Sequence, residues 1–311
     1  MNSNIKREVV NEIHKPVRIN FPRRRVIVKG LNDLYQADLV EVIPYAKLNK
    51  GFKYLLVVIN VFSKYVWVKP VKNKTGLDVT TAMDEILKKL AQTPKNLQTD
   101  LGKEFYNKDF KNLMLKYKIN HYSTYSNLKS SIVERVNRTL KSMMWKEFSA
   151  RGNYKWIDIL QDIVSAYNSK KHSTTGFKPV DVNEKNEKLL LDTVFSNVKT
   201  IDPKPNKFKI GESVRVSKTR QVFTKSYTPN WSNEIFIISK VKATNPRTYH
   251  LRDSSGQDIK GGFYGFELQK VKHPNIYLVE KILSRKGSKL YVSWLGMDKR
   301  HNSWINKSDL Q

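Results

Sequence analysis

The sequence contains no cysteine. That absence excludes structural disulfides and any zinc finger that relies on thiolate ligands. Long hydrophobic runs are also missing. The longest strongly apolar stretch, 55–62, falls far short of the ~20 residues needed to cross a bilayer. The N-terminal MNSNIKREVV carries no apolar signal-peptide core. Acidic residues are scarce, 28 against 57 Lys and Arg in 311 residues, a net charge of +29. With 39% hydrophobic residues the chain can still bury real cores, so wholesale disorder is not expected. The length suggests two or three domains. The expectation is a soluble intracellular protein with a polyanionic partner and no membrane.

The positive charge is not confined to a tail. Residues 1–29 carry a net +6, residues 30–190 a net +11 and residues 191–311 a net +12, with Arg23, Arg24 and Arg25 the densest cluster. Self-repulsion of this size favours a chain that meets a polyanion, and nucleic acid is the expected partner.

Residues 1–29 read as a basic N-terminal segment in which Pro16 and Pro22 interrupt any long helix. Three β-rich runs follow at 34–43, 53–62 and 65–71, with turn signals at 49–51 and 63–64. Helical spacing covers 75–90, 108–117, a stretch through Ile132, Val136, Leu140 and Met144, and about 155–168. Short strands fall at 96–100 and 119–123. Strands joined by hairpins and then alternating with helices predict an α/β sheet over 30–190 with helices on its faces. A proline-bearing linker at 191–206 leads to short strands only over 207–272, a pattern that suggests a small β-barrel. A last small module spans 276–311.

Three acids stand out. Asp38 lies inside a strand, where Asp is disfavoured. Asp100 lies at the C-terminal end of a strand, where α/β sheets place their chemistry. Glu134 is on the polar face of a helix. Carboxylates from a strand interior, a strand end and a helix can converge, and hard divalent cations, Mg²⁺ or Mn²⁺, relieve the resulting repulsion. Two such ions about 3.5–4 Å apart suit in-line phosphoryl displacement. Asp33, Glu41, Glu104 and Asp109 read as bystanders. Glu41, three residues from Asp38 on a strand, points to the opposite face.

QADLVEV, QTDLGKEF and SSIVERVNRTLKSMMW together resemble the D,D,E core of retroviral-type integrases, an RNase H-like fold. YNSKKHSTTGFKPVDV (167–182) resembles the helix and following segment that close that core. The family pattern has 35 residues between the last two acids; here there are 33, and the shortening falls in the loop YSNLKSS before Glu134. The resemblance implies that Asp38, Asp100 and Glu134 hold two metal ions, Mg²⁺ or Mn²⁺. It further implies that a helix face with Asn137, Arg138 and Lys141 runs along DNA, with Lys129 beside it. Arg23, Arg24 and Arg25 are expected to add DNA contacts.

Residues 207–272 resemble the SH3-like barrel that follows integrase cores, most like those of Maverick/Polinton transposons and virophages. Residues 276–311 resemble a chromodomain, with Tyr277 and Trp294 at two positions of the methyl-lysine cage. Met297 stands at the third, so the cage is incomplete. With no Cys, no zinc site is expected in this chain. The resemblance implies a DNA integrase that works as a homo-multimer on double-stranded DNA in the host nucleus, or is packaged in a virion, with chromatin or a histone tail as a further partner. The alternatives are a domesticated, non-catalytic DNA- and chromatin-binding protein and an RNase H-like nuclease that cuts without joining.

Overall fold

A computed structural model describes residues 3–18, 21–22, 25–123, 131–196, 205–218 and 228–310. The chain divides into two compact units, one of residues 26–198 and one that joins residues 1–25 to those from 199 onward. No helix among the described residues is long and apolar enough to cross a membrane.

In chain order the helices and strands begin with α1 (Ser3–His14), which belongs to the second unit. The 26–198 unit contains β1 (Leu34–Glu41), β2 (Tyr54–Asn60) and β3 (Val66–Val71), then α2 (Gly76–Leu87) and β4 (Asn96–Thr99). It continues with α3 (Lys108–Lys116), β5 (Asn120–Ser123), α4 (Ser131–Arg151), α5 (Leu160–Asn168) and α6 (Glu184–Leu190). The sheet order is β3-β2-β1-β4-β5. The first three strands are antiparallel, and β4 and β5 run parallel to β1. A parallel return requires a crossover, which α2 supplies.

The period-2 alternation of β1 divides the core. Tyr35, Ala37 and Leu39 pack with α2 and α3, through Val79, Met83, Ile86, Phe110 and Leu113. Val40 packs on the other face, with Val133, Val136 and Leu140 of α4 and with Leu160 and Ile163 of α5. Gln36 and Asp38 share the face of Val40, because residues two apart on a strand point the same way.

The expected boundaries at 29/30 and 190/191 both move outward. Val28 is buried with Leu34, Phe62 and Leu190. A wider, π-type turn at Leu191–Phe195 extends α6, and the Phe195 ring stacks on Phe62 with centroids 4.8 Å apart. Residues 191–195 therefore belong to the core. Part of the expected linker, 197–204, lies outside the described residues, as does 125–130 of the loop before Glu134.

In the second unit the strands expected to form a barrel make a five-stranded antiparallel sheet, ordered β10-β6-β7-β8-β9. These are β6 (Ser213–Val216), β7 (Phe236–Lys242), β8 (Thr248–Arg252), β9 (Phe263–Tyr264) and β10 (Leu268–Lys270). Within the expected run of short strands, residues 257–261 form no named strand and contribute an isolated bridge, Asp258 to Arg252. β11 (Val279–Lys286), β12 (Lys289–Trp294) and β13 (Ser303–Asn306) form a separate three-stranded antiparallel sheet.

The N-terminal segment is not a free basic arm. Val9 and Ile13 on α1 are buried. The carbonyl groups at its C-terminal end, which a helix leaves without internal partners, accept hydrogen bonds from later residues of the same unit. Asn230 and Trp231 donate backbone N–H groups to Ile13 at 2.9 and 3.1 Å, Gln269 donates to Glu12 at 3.0 Å and the Trp231 indole donates to Lys15 at 2.9 Å.

Candidate active site

The register of β1 and β4 assembles the first two acids. Gln36 lies opposite Gln98 across the parallel pair, and their side chains are bonded at 2.9 Å. Two residues further along each strand stand Asp38 and Asp100, on the same face by the pleat. Asp100 closes a turn by accepting the Gly102 N–H at 3.1 Å. Thr99 beneath it donates to the Asp100 carbonyl at 2.8 Å and meets His121 Nε2 at 2.9 Å. Burial pushes the His121 imidazole down to about 4, so it is neutral and acts as a hydrogen-bonding spacer.

The third acid arrives with α4, which two bonds tie to the sheet. The Val133 N–H, one of the helix's orphan donors, bonds Gln36 Oε1 at 3.1 Å. Asn137 Nδ2 donates to Asp38 Oδ2 at 2.7 Å, while Leu39 N–H occupies Oδ1 at 2.9 Å. Glu134, one turn before Arg138, is exposed at this end of the helix.

Electrostatics link the acids. Asp38 is held above the ordinary carboxyl range by burial first, then by the charges of Asp100 and Glu104, with the Leu39 N–H and Lys74 opposing. Glu134 is raised by burial and then by Asp38, with Arg138 opposing. Mutual repulsion among oxygen donors is the pattern that a hard divalent cation relieves, so the donor chemistry fits Mg²⁺ or Mn²⁺. The Asn137 Oδ1 next to this cluster is buried without a hydrogen-bond partner, one more oxygen of the same kind. Among the described residues, however, no group of three His, Cys, Asp or Glu side chains closes tightly enough to hold a metal ion.

Two residues take different roles from those expected. Asn137 is only 8% exposed and turned onto Asp38, so it positions the carboxylate and does not present itself to DNA. Glu104 is no bystander: it is buried, paired with Lys74 at 3.2 Å and charged close enough to Asp38 to raise it. A Cβ at Gly102 would meet the Glu104 carboxylate where it now lies, so the bare glycine lets that side chain rest against the Asp100 turn without shifting. The pairing of a turn glycine with an acid two residues later was the available signal. The other bystanders behave as read: Asp33 accepts the Lys29 N–H at 2.7 Å, Glu41 faces Lys74 at 3.7 Å and Asp109 sits in the first turn of α3.

Arg138 and Lys141 are exposed on α4, and Arg25 is exposed as well. Arg23, Arg24 and Lys129 lie outside the described residues. In the second unit the Tyr277 and Trp294 rings meet edge to face at 5.8 Å, and the Trp294 indole is held by Ser303 at 3.0 Å. The Met297 N–H bonds the Trp294 carbonyl at 3.2 Å, and its side chain adds no ring.

Residues 29–125 match the family described as the integrase core domain. The chain is 36% identical over 211 residues to an uncharacterized transposon-derived protein of Caenorhabditis elegans, covering 68% of this chain and 70% of that protein. It is 26% identical over 279 residues to the Gag-Pol polyprotein of Gibbon ape leukemia virus, covering 77% of this chain but only 16% of that much longer protein. Among solved structures it resembles a chain of the simian T-cell lymphotropic virus intasome in complex with PP2A regulatory subunit B56 gamma. There the TM-score is 0.58 at 17% identity, with 86% of this chain and 92% of that one covered, a likeness of fold.

Proposed function

The chain belongs to the integrase core domain family, with the RNase H-like fold in its 26–198 unit, and from that premise we propose that it is a DNA integrase using Asp38, Asp100 and Glu134. The observation that carries this reading is the strand register that sets Asp38 within β1 and Asp100 after β4 each two residues beyond the Gln36–Gln98 pair, with α4 and its Glu134 fastened to the same face through Gln36 and Asn137. Water attacks a phosphodiester near each 3′ end of the element and frees a 3′-hydroxyl. That hydroxyl then attacks a target phosphodiester, joining the strands and releasing a target 3′-hydroxyl.

The three acids would hold divalent metal ions, which when bound supply charge neutralisation at the phosphate and a more acidic nucleophile. The chain's own task is to hold the acids still. Asn137 and the Leu39 N–H fix both oxygens of Asp38, the Gln36–Gln98 pair locks the β1–β4 register, and Gln36 fastens α4 so that Glu134 stays near Asp38. Lys74 partly neutralises Glu104 beneath the site. The source in a Maverick/Polinton-type element or virophage, the SH3-like and chromodomain-like character of the second unit, action as a multimer and a nuclear site of action rest on the sequence resemblance.

A second reading, a non-catalytic DNA-binding protein of the same fold, is favoured by the absence of a closed three-acid group among the described residues. One experiment separates the two. Short duplexes carrying the element's terminal repeats are incubated with the full chain and Mg²⁺ or Mn²⁺, and trimmed and joined products are counted. Strand transfer that Asp100→Asn lowers by at least ~10²-fold is expected. DNA binding without any cleavage, or an Asp100→Asn variant with near-full activity, overturns the catalytic assignment.

A further inference from the structure

The far end of α4 carries a patch for which the acid cluster has no use. Trp145 lies eleven residues beyond Glu134, ~16 Å along the helix axis. It is 46% exposed, Tyr154 in the connector to α5 is 48% exposed and Leu48 is 55% exposed. Leu48 ends a short 3₁₀ helix, Ile43–Leu48, in the connection between β1 and β2. Residues three apart in such a helix share a face, so Leu48 lies on the side of Tyr45. The Tyr45 ring links the others: it stacks on Tyr154 at 4.7 Å and meets Trp145 edge to face at 5.8 Å. Single exposed apolar side chains are ordinary, but a contiguous cluster of large ones marks an interaction surface.

The platform is preformed. Asn49 is fully buried and spends its whole side-chain amide on clamping the 43–48 helix to the α4–α5 connector. Its Nδ2 donates to the carbonyls of Tyr45 at 2.7 Å and Tyr154 at 3.0 Å. Its Oδ1 accepts the N–H groups of Trp156 at 2.7 Å and Ile157 at 3.0 Å. The buried Phe148 ring supports the patch from α4, 5.3 Å from Trp145 and 5.4 Å from Tyr154. A surface already held in its binding shape loses little entropy when a partner arrives.

The charge around the patch says what it fits. Residues 42–53 contain Lys47, Lys50 and Lys53 and no acid. All three lysines are exposed, and none makes an ion pair with a described residue. On the other side Lys155 follows Tyr154, and the connector's one acid, Asp158, is already paired with Arg151 at 3.2 Å. Glu147, two residues from Trp145, falls on another side of α4. A second copy matches poorly, because a symmetric contact would set these lysines against their own equivalents. Nucleic-acid bases match poorly too: Tyr45 and Tyr154 spend a face on each other, and Leu48 has none to offer.

We propose that this patch is a docking surface for an acidic protein segment, which lays bulky apolar side chains on Leu48, Trp145 and Tyr154 while its carboxylates meet Lys47 and Lys50. Apolar anchors supply the affinity, since aromatic side chains dominate interface energetics. The lysine rim selects the sign of the partner and speeds its arrival. The proposal does not depend on the acids or on the integrase reading.

The test is selection of short peptides from an unbiased random display library on the full chain, in EDTA. Clones are then sorted by whether they still bind Leu48→Ser/Trp145→Ser. Clones that need the patch should be rich in Asp and Glu and carry Leu, Phe or Trp. A synthetic copy of the strongest should bind the variant at least ~10-fold more weakly than the wild type, and its binding should weaken as salt rises. Lys47→Gln/Lys50→Asn touches no ring, and Asn suits the left-handed backbone at 50 (φ +54°), so this variant should fold as the wild type does. It should also weaken the acidic peptide, and it sorts the clones if the serine variant does not fold. The proposal is overturned if no clone depends on the patch, if the dependent clones show no acidic excess, or if the lysine variant binds them as the wild type does. Self-association in sedimentation that either variant abolishes would assign the patch to a second copy and overturn it. So would loss of binding to a labelled oligothymidine in the serine variant, which would assign the patch to single-stranded nucleic acid. Cleavage plays no part in these readouts, so failure of the integrase reading leaves the proposal to be judged on its own.

Discussion

Among the described residues each unit of this protein buries one long cation, and the two are treated in opposite ways. In the second unit Arg215 is 1% exposed and paired: Glu12 meets its Nε at 2.7 Å, and the carbonyls of Ser232 and Asn233 accept from Nη1 at 2.9 and 2.7 Å. In the 26–198 unit Lys64 is nearly as buried and has a single carbonyl. A satisfied buried charge belongs to the architecture. An unsatisfied one is a cost the fold carries. The acid cluster repeats the second case with the sign reversed, since Asp38 and Glu134 are both raised by burial and by neighbouring carboxylates.

The contrast is open to attack by mutation, and the largest effect should come from the satisfied pair. Glu12→Ala strands Arg215 in the interior and should cost about 3–5 kcal/mol, read by denaturant unfolding of the full chain. Replacing both partners, Glu12→Leu with Arg215→Met, should recover most of that loss. If Glu12→Ala costs nothing, α1 is not pinned as described.

A smaller effect of opposite sign is expected at the acids. Because Asp38 holds its proton more tightly in the folded than in the unfolded chain, the metal-free protein loses stability as pH rises from the ordinary aspartate range through the raised value. Asp38→Asn removes that loss. Above this window the variant should be the more stable protein, and below it the two should converge, as measured by urea unfolding against pH in EDTA. A less stable Asp38→Asn at neutral pH would mean that Asp38 is a structural acid.

The smallest effect sets the scale. Lys69 and Glu85 form a well-aligned pair at 2.6 Å, but Glu85 is half exposed. Lys69→Ala should change stability by no more than ~0.5 kcal/mol in the same unfolding measurement. A loss as large as that from Glu12→Ala would show that burial is not what separates these pairs.

Much of the 26–198 unit was legible before any coordinates. Alternation marked β1 to β3, helical spacing marked α2 to α5, and Asp38 and Asp100 declared themselves by standing where propensity disfavours an acid or where a strand ends. The misreadings share one cause. Asn137 sits on the same helical stripe as Arg138, and periodicity cannot tell which of the two turns inward to a carboxylate. Glu104 looked like surface because its burial depends on how its side chain lies against Gly102 and meets Lys74, which stands well before it in the chain. The inward role of α1 was hidden because its partners, Arg215, Asn230, Trp231 and Gln269, lie some two hundred residues further along the chain.

What the amino-acid order determined by itself was local: the succession of strands and helices, the placing of three acids at strand and helix positions, the excess of positive charge and the impossibility of thiolate chemistry. Those properties depend on neighbours within a few residues, and period and propensity report them. Tertiary structure alone decided which polar side chains lose their water and which find partners when they do. That choice made Arg215 a structural pin, left Lys64 buried with a single carbonyl, turned Asn137 onto Asp38 and drew Glu104 in against Gly102. The cost of burying a charge is set by groups brought together from distant parts of the chain, and no local pattern encodes them.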